Sequence, residues 1–187
     1  MRLFVAFDIP EEIRQGYASL IHEGKKIDSR ARWVHAEAVH ITLKFLGETP
    51  ADRVEAIAAA LGKLKSSRPV ELKFRGVGFF PNERRPRVMW AGIEASPNLS
   101  EIAQAADESL AAIGFERETR PFVPHLTLAR FPIGGSWDRL IQAAAGFSAR
   151  EFGPAVESEF YLFQSFLKPS GAEYKKLATF PFLKETT

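Results

Sequence analysis

The chain has no cysteine among its 187 residues. That removes disulfides, thiol nucleophiles and thiolate metal ligands from consideration, and it fits a reducing compartment. Long apolar runs are missing too: the opening nine residues contain Arg2 and Asp8 and are far too short to span a bilayer. No basic segment followed by an apolar stretch stands at the start, so no secretory leader is expected and a cytoplasmic location is the default. Nor is there a large charge excess. A net charge of +2 with a pI near 8.9 permits an anionic partner without demanding one, whereas a strong nonspecific binder of nucleic acid would be more basic. The sequence also lacks a Gly-x-Ser-x-Gly elbow, a P-loop and a dinucleotide-binding glycine pattern.

What is present suits a globular body. The 45% hydrophobic and 26% charged content is ordinary for one, and a chain of this length buries roughly 70% of its unfolded surface without a covalent staple. Leu3–Phe7 reads as a buried strand. Pro10-Glu11-Glu12 opens a helix that runs to about Gly24. Arg32-Trp33-Val34 is extended, His40–Gly47 is a strand, and Pro50-Ala51-Asp52 opens an Ala-rich helix reaching about Leu64. The runs Val70–Phe80 and Arg87–Glu94 form a hairpin across Pro81–Pro86. A helix follows from Pro97 to near Gly114, then a strand His125–Phe131, a short helix Ser136–Ala145, and a closing hairpin. That hairpin pairs Phe160–Phe163 with Ala172–Phe180 across Lys168–Gly171. Helices stand between some strands while others connect directly, which indicates an α+β fold with antiparallel sheets. No linker divides the chain, so residues 1–187 are expected to form one domain.

Two of the four histidines head the same tetrad: His40-Ile41-Thr42-Leu43 and His125-Leu126-Thr127-Leu128. In a strand, alternate side chains share a face. His40 with Thr42, and His125 with Thr127, therefore offer an imidazole and a hydroxyl to one side, with Ile41, Leu43, Leu126 and Leu128 behind. The tetrads fall in the two halves of the chain, each flanked by a helix, which suggests a weak duplication. His22 and His35 read as surface or structural residues. Two histidines are too few for a zinc site, and neither tetrad holds a carboxylate. Acid–base chemistry on a phosphodiester fits better. In-line displacement needs a base and an acid on opposite sides of phosphorus. With unperturbed pKa values near 6.5, one imidazole can be neutral while the other is protonated. The threonine hydroxyls can donate to the non-bridging oxygens.

The runs His40-Ile41-Thr42-Leu43-Lys44-Phe45-Leu46-Gly47 and Pro124-His125-Leu126-Thr127-Leu128-Ala129-Arg130 resemble the paired motifs of the two-histidine phosphoesterases. More narrowly they are similar to the RNA 2′,3′-cyclic phosphodiesterases, once called 2′-5′ RNA ligases. Leu3–Phe7, Arg32-Trp33-Val34, Arg87–Gly92 and Gly171–Tyr174 extend the resemblance over nearly the whole chain. It implies a compact bilobal fold with pseudo-duplicated lobes, two mainly antiparallel sheets lining a cleft, and helices outside. It further implies opening of an RNA 2′,3′-cyclic phosphate to a 2′-phosphate without metal or cofactor, with 2′-5′ ligation as a possible reverse reaction. Carried over by position, His40 is the proton donor to the 3′ oxygen and His125 the base that activates water. Thr42 and Thr127 hold the phosphate. A cyclic phosphodiesterase for small nucleotides and a noncatalytic RNA-end-binding module stay open as alternatives, and a monomer is expected.

Six further positions carry expectations. Strict alternation puts Arg130 on the core face, where an unpaired guanidinium is costly; a strand end near Phe131-Pro132 would turn it to the phosphate, and the family pattern favours that binding role. Phe45 is placed in the core beside Leu43. Lys44, on the catalytic face, falls between cleft edge and solvent. Arg84, Arg85 and Arg87 make either a soluble hairpin tip or a basic lip for RNA phosphates.

Overall fold

The computed structural model describes residues 1–169 and 171–183. The apolar alternation seen in the sequence becomes nine strands: β1 Arg2–Phe7, β2 Arg32–Trp33, β3 Ile41–Glu48, β4 Val70–Phe80, β5 Val88–Ala95, β6 His125–Arg130, β7 Glu151–Glu157, β8 Glu159–Lys168 and β9 Gly171–Pro181. The helices are α1 Glu11–Ile27, α2 Val54–Leu61, α3 Asn98–Ala111 and α4 Asp138–Ala144. Two antiparallel sheets result, ordered β3-β1-β8-β9 and β2-β6-β5-β4-β7. Each holds one tetrad. No described helix is long and apolar enough to cross a membrane.

The connections interlock the two sheets. The first sheet joins β1 and β3 from the start of the chain to β8 and β9 from its end. Helix α1 follows β1, yet its Tyr17 packs on Phe74 of β4 and Phe152 of β7 in the second sheet. Helix α3 follows β5 of the second sheet and packs against β3 of the first. Each sheet is thus backed by a helix that follows a strand of the other. The main core lies between these helices and the sheets' outer faces, with Leu3, Val5, Phe7, Ile41, Leu72, Phe74, Met89 and Leu126 all essentially inaccessible to water. A second, small cluster of Phe4, Ala6, Tyr161 and Phe163, with Tyr174 against it, lines the opposite face of the first sheet.

The most consequential departures from simple alternation are two β-bulges. In the β1–β3 pair, Ala6 faces Thr42 but Val5 faces Lys44, so Leu43 is the extra residue. In the β5–β6 pair, Trp90 faces Thr127 but Met89 faces Ala129, so Leu128 is extra. Both tetrads therefore end on a bulge, at the same leucine. A bulge puts two residues against one and reverses the inside–outside order beyond it.

Three other expectations shift. Helix α1 passes through Gly24 to Ile27, because a side chain at Gly24 would stand inside the Trp33 ring: the glycine permits close helix–strand packing rather than ending the helix. Helix α2 is only eight residues, preceded by a 3-10 turn at Ala51–Arg53. Strand β7 is an addition. It tolerates Pro154 because it is an edge strand, paired only with β4. The closing hairpin forms as expected, with residue 170 of its turn outside the described residues.

Candidate active site

Both histidines are fixed by the same local device. His40 Nδ1 lies 2.8 Å from the carbonyl oxygen of Ala38, and His125 Nδ1 lies 2.7 Å from that of Val123. A carbonyl oxygen only accepts, so in each case Nδ1 carries the proton and donates. The neutral rings then share one tautomer, with the Nε2 lone pair free for chemistry. Aromatic neighbours hold each ring. His40 lies 4.5 Å from Phe4 and meets Tyr174 edge-on at 5.1 Å; His125 meets Phe80 edge-on at 5.1 Å. Phe80 in turn packs on Trp90 at 5.2 Å. The indole fits because Gly78, directly across the strand pair, has no Cβ to collide with it. Thr42 and Thr127 are half-buried, opposite Ala6 and Trp90 on their sheets.

The two imidazoles belong to one electrostatic unit, since β3 and β6 adjoin and the charge of His125 bears on His40. Their environments differ from the expectation of two ordinary imidazoles. Burial pushes His40 down to about 4, with the charges of Arg14 and His125 adding to the effect and the Ala38 carbonyl and Asp8 offsetting part of it. In the free protein His40 is therefore neutral at pH 7.

Two ion-pair clusters, invisible in the sequence, pin the segments leading into the histidines. Arg14 Nη1 donates to the carbonyl oxygens of Ala36 at 2.9 Å, Glu37 at 3.1 Å and Val39 at 3.3 Å, while its Nη2 pairs with Asp8 at 2.5 Å. This clamps the turn that presents the Ala38 carbonyl. Asp8 also pairs with Lys176 at 2.7 Å. Burial alone would raise the Asp8 carboxyl, yet these cations and the Ile9 N–H hold it below its ordinary value. On the other side, Lys44 pairs with Asp107 of α3 and donates to the Glu116 carbonyl at 2.6 Å. Asp107 also accepts from Glu118 N–H at 3.0 Å and pairs with Arg117 at 2.7 Å, anchoring the loop that runs into His125.

The bulges relocate the flanking residues. Lys44, expected at the cleft or in solvent, is 7% exposed on the core side opposite Val5. Phe45, expected in the core, is 63% exposed on the cleft side, opposite Phe4. Arg130, which alternation alone sends inward, is exposed opposite Val88 and Arg32. It faces the other sheet: burial raises the Tyr174 hydroxyl, and the charges of Arg130 and Arg2 partly oppose that. Arg84, Arg85 and Arg87 are exposed around the β4–β5 turn, where Asn82 Oδ1 accepts from the backbone N–H of Arg84 and Arg85, each at 3.1 Å. His22 is exposed on α1, and His35 is exposed just before the 3-10 turn Ala36–Ala38. Among the described residues no group of three or more His, Asp or Glu side chains is arranged to hold a metal ion.

A family model described as LigT-like phosphoesterase matches residues 7–90 and again 93–174, one tetrad in each stretch. The chain belongs to the LigT-like phosphoesterase family. Its relatives in this family include an RNA 2′,3′-cyclic phosphodiesterase of Archaeoglobus fulgidus, 34% identical over 180 residues that cover 96% of this chain and 99% of that one. The protein of the same name from Methanocaldococcus jannaschii is 35% identical over 175 residues, covering 94% and 97%. Among solved structures, a Thermus thermophilus protein, TT0787, superimposes with a TM-score of 0.77 at 29% identity over the full length of both chains. Escherichia coli LigT complexed with 3′-AMP gives 0.75 at 27% identity, covering 98% of each. The double match agrees with the pair of equivalent bulged strands.

Proposed function

We propose that this protein, acting as one domain over residues 1–187, hydrolyses the terminal 2′,3′-cyclic phosphate of RNA to a 2′-phosphate by acid–base catalysis between two imidazoles. The observation that carries the reading is the matched pair of histidines on opposing sheets, each tied through Nδ1 to the carbonyl two residues upstream and each left with a free Nε2. The names of the relatives point to the same substrate. His125 Nε2 takes a proton from water as its oxygen bonds to phosphorus. The bond from phosphorus to the 3′ oxygen breaks, and His40 Nε2 delivers its proton to that oxygen. Thr42, Thr127 and Arg130 hold the non-bridging oxygens, where charge accumulates.

His40 has to be protonated for this role, and the substrate itself supplies the means. A phosphodiester anion ~4 Å from the ring, at an effective dielectric of about 20, favours the imidazolium by ~4 kcal/mol. That is about 3 pKa units, enough to bring His40 from about 4 in the free protein to ~7 in the complex. Binding and proton uptake are then one event. With an RNA 5′-hydroxyl in place of water, the same forward displacement forms a bond from that oxygen to phosphorus and breaks the bond to the 3′ oxygen, leaving a 2′-5′ phosphodiester, which is the sense in which reversible 2′-5′ ligation belongs to this site.

RNA is favoured over free small nucleotides by the three exposed arginines of the β4–β5 hairpin, which rises from Phe80 beside His125 and suits phosphates beyond the terminal nucleotide. The test is an RNA with a 2′,3′-cyclic phosphate end, incubated in the presence of chelator. The expected product ends in a 2′-phosphate with a free 3′-hydroxyl, at an undiminished rate. A 3′-phosphate end, or activity that returns only with added metal, would reject the reading.

A further inference from the structure

The two histidines are held by the same bond but reached through different chain. His125 follows Pro121-Phe122-Val123-Pro124. Each proline fixes its own φ, and Pro124 also restricts the residue before it, Val123, whose carbonyl holds the ring. That segment is stiff by composition. His40 follows Ala36-Glu37-Ala38-Val39, with Val39 where the other half has Pro124. Here no proline restricts the chain, and the segment folds as a single 3-10 turn over Ala36–Ala38. A lone 3-10 turn has poor hydrogen-bond geometry and little of its own to hold it. The Ala38 carbonyl has to be fixed from elsewhere.

Arg14 does this from α1, and all three of its guanidinium nitrogens are engaged. Nη1 donates to the carbonyl oxygens of Ala36, Glu37 and Val39 at 2.9, 3.1 and 3.3 Å. Nη2 reaches Asp8 at 2.5 Å and the Ile9 carbonyl at 3.2 Å, and Nε lies 3.4 Å from Glu11. Of the four carbonyls from Ala36 to Val39, only that of Ala38 is left out, and it is the one that accepts from His40 Nδ1 at 2.8 Å. The Arg14 side chain is only 13% exposed, so water competes little for these bonds. A planar fork of five N–H donors can span the turn and the end of β1 together, which the single nitrogen of a lysine cannot. Beyond the dominant effect of burial, Asp8 favours the charged form of His40 and Arg14 opposes it. What this pair gives to His40 is place rather than charge.

We propose that Arg14 is the positioning residue of the proton donor: it fixes the turn so that the Ala38 carbonyl keeps His40 Nδ1–H and only the Nε2 proton is free to leave. The chemical half of the proposal rests on the phosphodiesterase reading above, while its structural half stands without it. When His40 becomes an imidazolium it carries two protons. The Ala38 carbonyl retains one, and the other passes from Nε2 to the 3′ oxygen as the bond from that oxygen to phosphorus breaks. A loosened turn lets the ring tip away from the leaving oxygen. The base is spared, because the carbonyl that holds His125 is set by its own prolines.

The test uses Arg14→Ala and Arg14→Lys, the second of which keeps a cation beside Asp8 but loses the fork. Two esters are compared, the ordinary cyclic phosphate and one with sulfur in place of the 3′ oxygen, whose thiolate leaves with little help from an acid. On the oxygen ester each variant should lower kcat by about 10- to 100-fold, the scale of a displaced catalytic group. On the sulfur ester the loss should be no more than about threefold. In 15N spectra at pH 7, His40 of the parent should show the Nδ1–H tautomer alone, and folded Arg14→Lys a share of Nε2–H. No loss of kcat, equal losses on the two esters as a merely structural role predicts, or an unchanged tautomer in Arg14→Lys would overturn the proposal. Failure of the parent to open either ester would strike the phosphodiesterase reading instead, with the tautomer still deciding the role of Arg14.

Discussion

Proton uptake on substrate binding follows from the two values that His40 takes. Free, it sits at about 4 because burial disfavours its charged form; beside a phosphodiester anion it rises to ~7 by the ~4 kcal/mol Coulomb attraction worked out above. At pH 5.5, between these values, His40 is almost wholly neutral before binding and almost wholly protonated after it. A nucleoside 2′-(methyl phosphate) stays a monoanion across this range and offers no breakable cyclic ester. Its binding, measured by titration calorimetry in buffers of different ionisation enthalpy, should take up nearly one more proton in the parent than in His40→Gln. The kinetic counterpart is a KM that rises about tenfold per pH unit between ~4 and ~7 through His40, while that group leaves kcat level. Equal proton uptake in the parent and in His40→Gln would refute the reasoning. It would mean that His40 does not change protonation on binding.

Two further predictions concern stability. Lys44→Met leaves Asp107 without its buried partner, with only the more exposed Arg117 still paired to it, and should cost about 3 kcal/mol in urea unfolding; pairing it with Asp107→Leu should recover a large part, and two single losses that simply add would argue against the coupling. Glu157 is raised to about 7, by burial first and then by the charges of Asp8 and Glu159. Its folded value exceeds its unfolded one, so its contribution to stability is present below about 4.5 and lost as pH rises through 7. His40 has the opposite sign, its contribution being complete above ~6.5 and lost as pH falls through about 4. The two slopes oppose each other over nearly the same window. Glu157→Gln should therefore raise stability at pH 8 by ~2–3 kcal/mol and make the loss of stability below pH 6.5 steeper, both readable from unfolding midpoints.

The strands and the tetrads are legible because a half-buried strand declares itself by alternation, and both His-x-Thr pairs lie within the part of their strands where alternation holds. Beyond Leu43 and Leu128 it fails. Nothing in either leucine announces a bulge, since the extra residue is defined by the partner strand, by Val5 and Ala6 in one case and Met89 and Trp90 in the other. Hence alternation sends Phe45 into the core and Lys44 out of it, and Arg130 needs a twist or strand end to reach the cleft. Gly24 misleads in a similar way, because the ring that requires it belongs to another element. Strand β7 is hidden by Gly153 and Pro154, which its edge position excuses. The clamps made by Arg14 with Asp8 and by Lys44 with Asp107 have no signal at all, being contacts across the fold rather than patterns along the chain.

The division of labour between the histidines is open to one direct measurement. When sulfur replaces the 3′ bridging oxygen of the cyclic phosphate, the leaving group departs as a thiolate and needs little help from an acid. On the ordinary substrate His40→Ala and His125→Ala should each lose about 100-fold or more. On the sulfur substrate His40→Ala should return to within roughly tenfold of the parent, while His125→Ala, still lacking the base for water, stays impaired. Rescue of His125→Ala instead, or no rescue of either variant, would contradict the assignment of His40 as the proton donor.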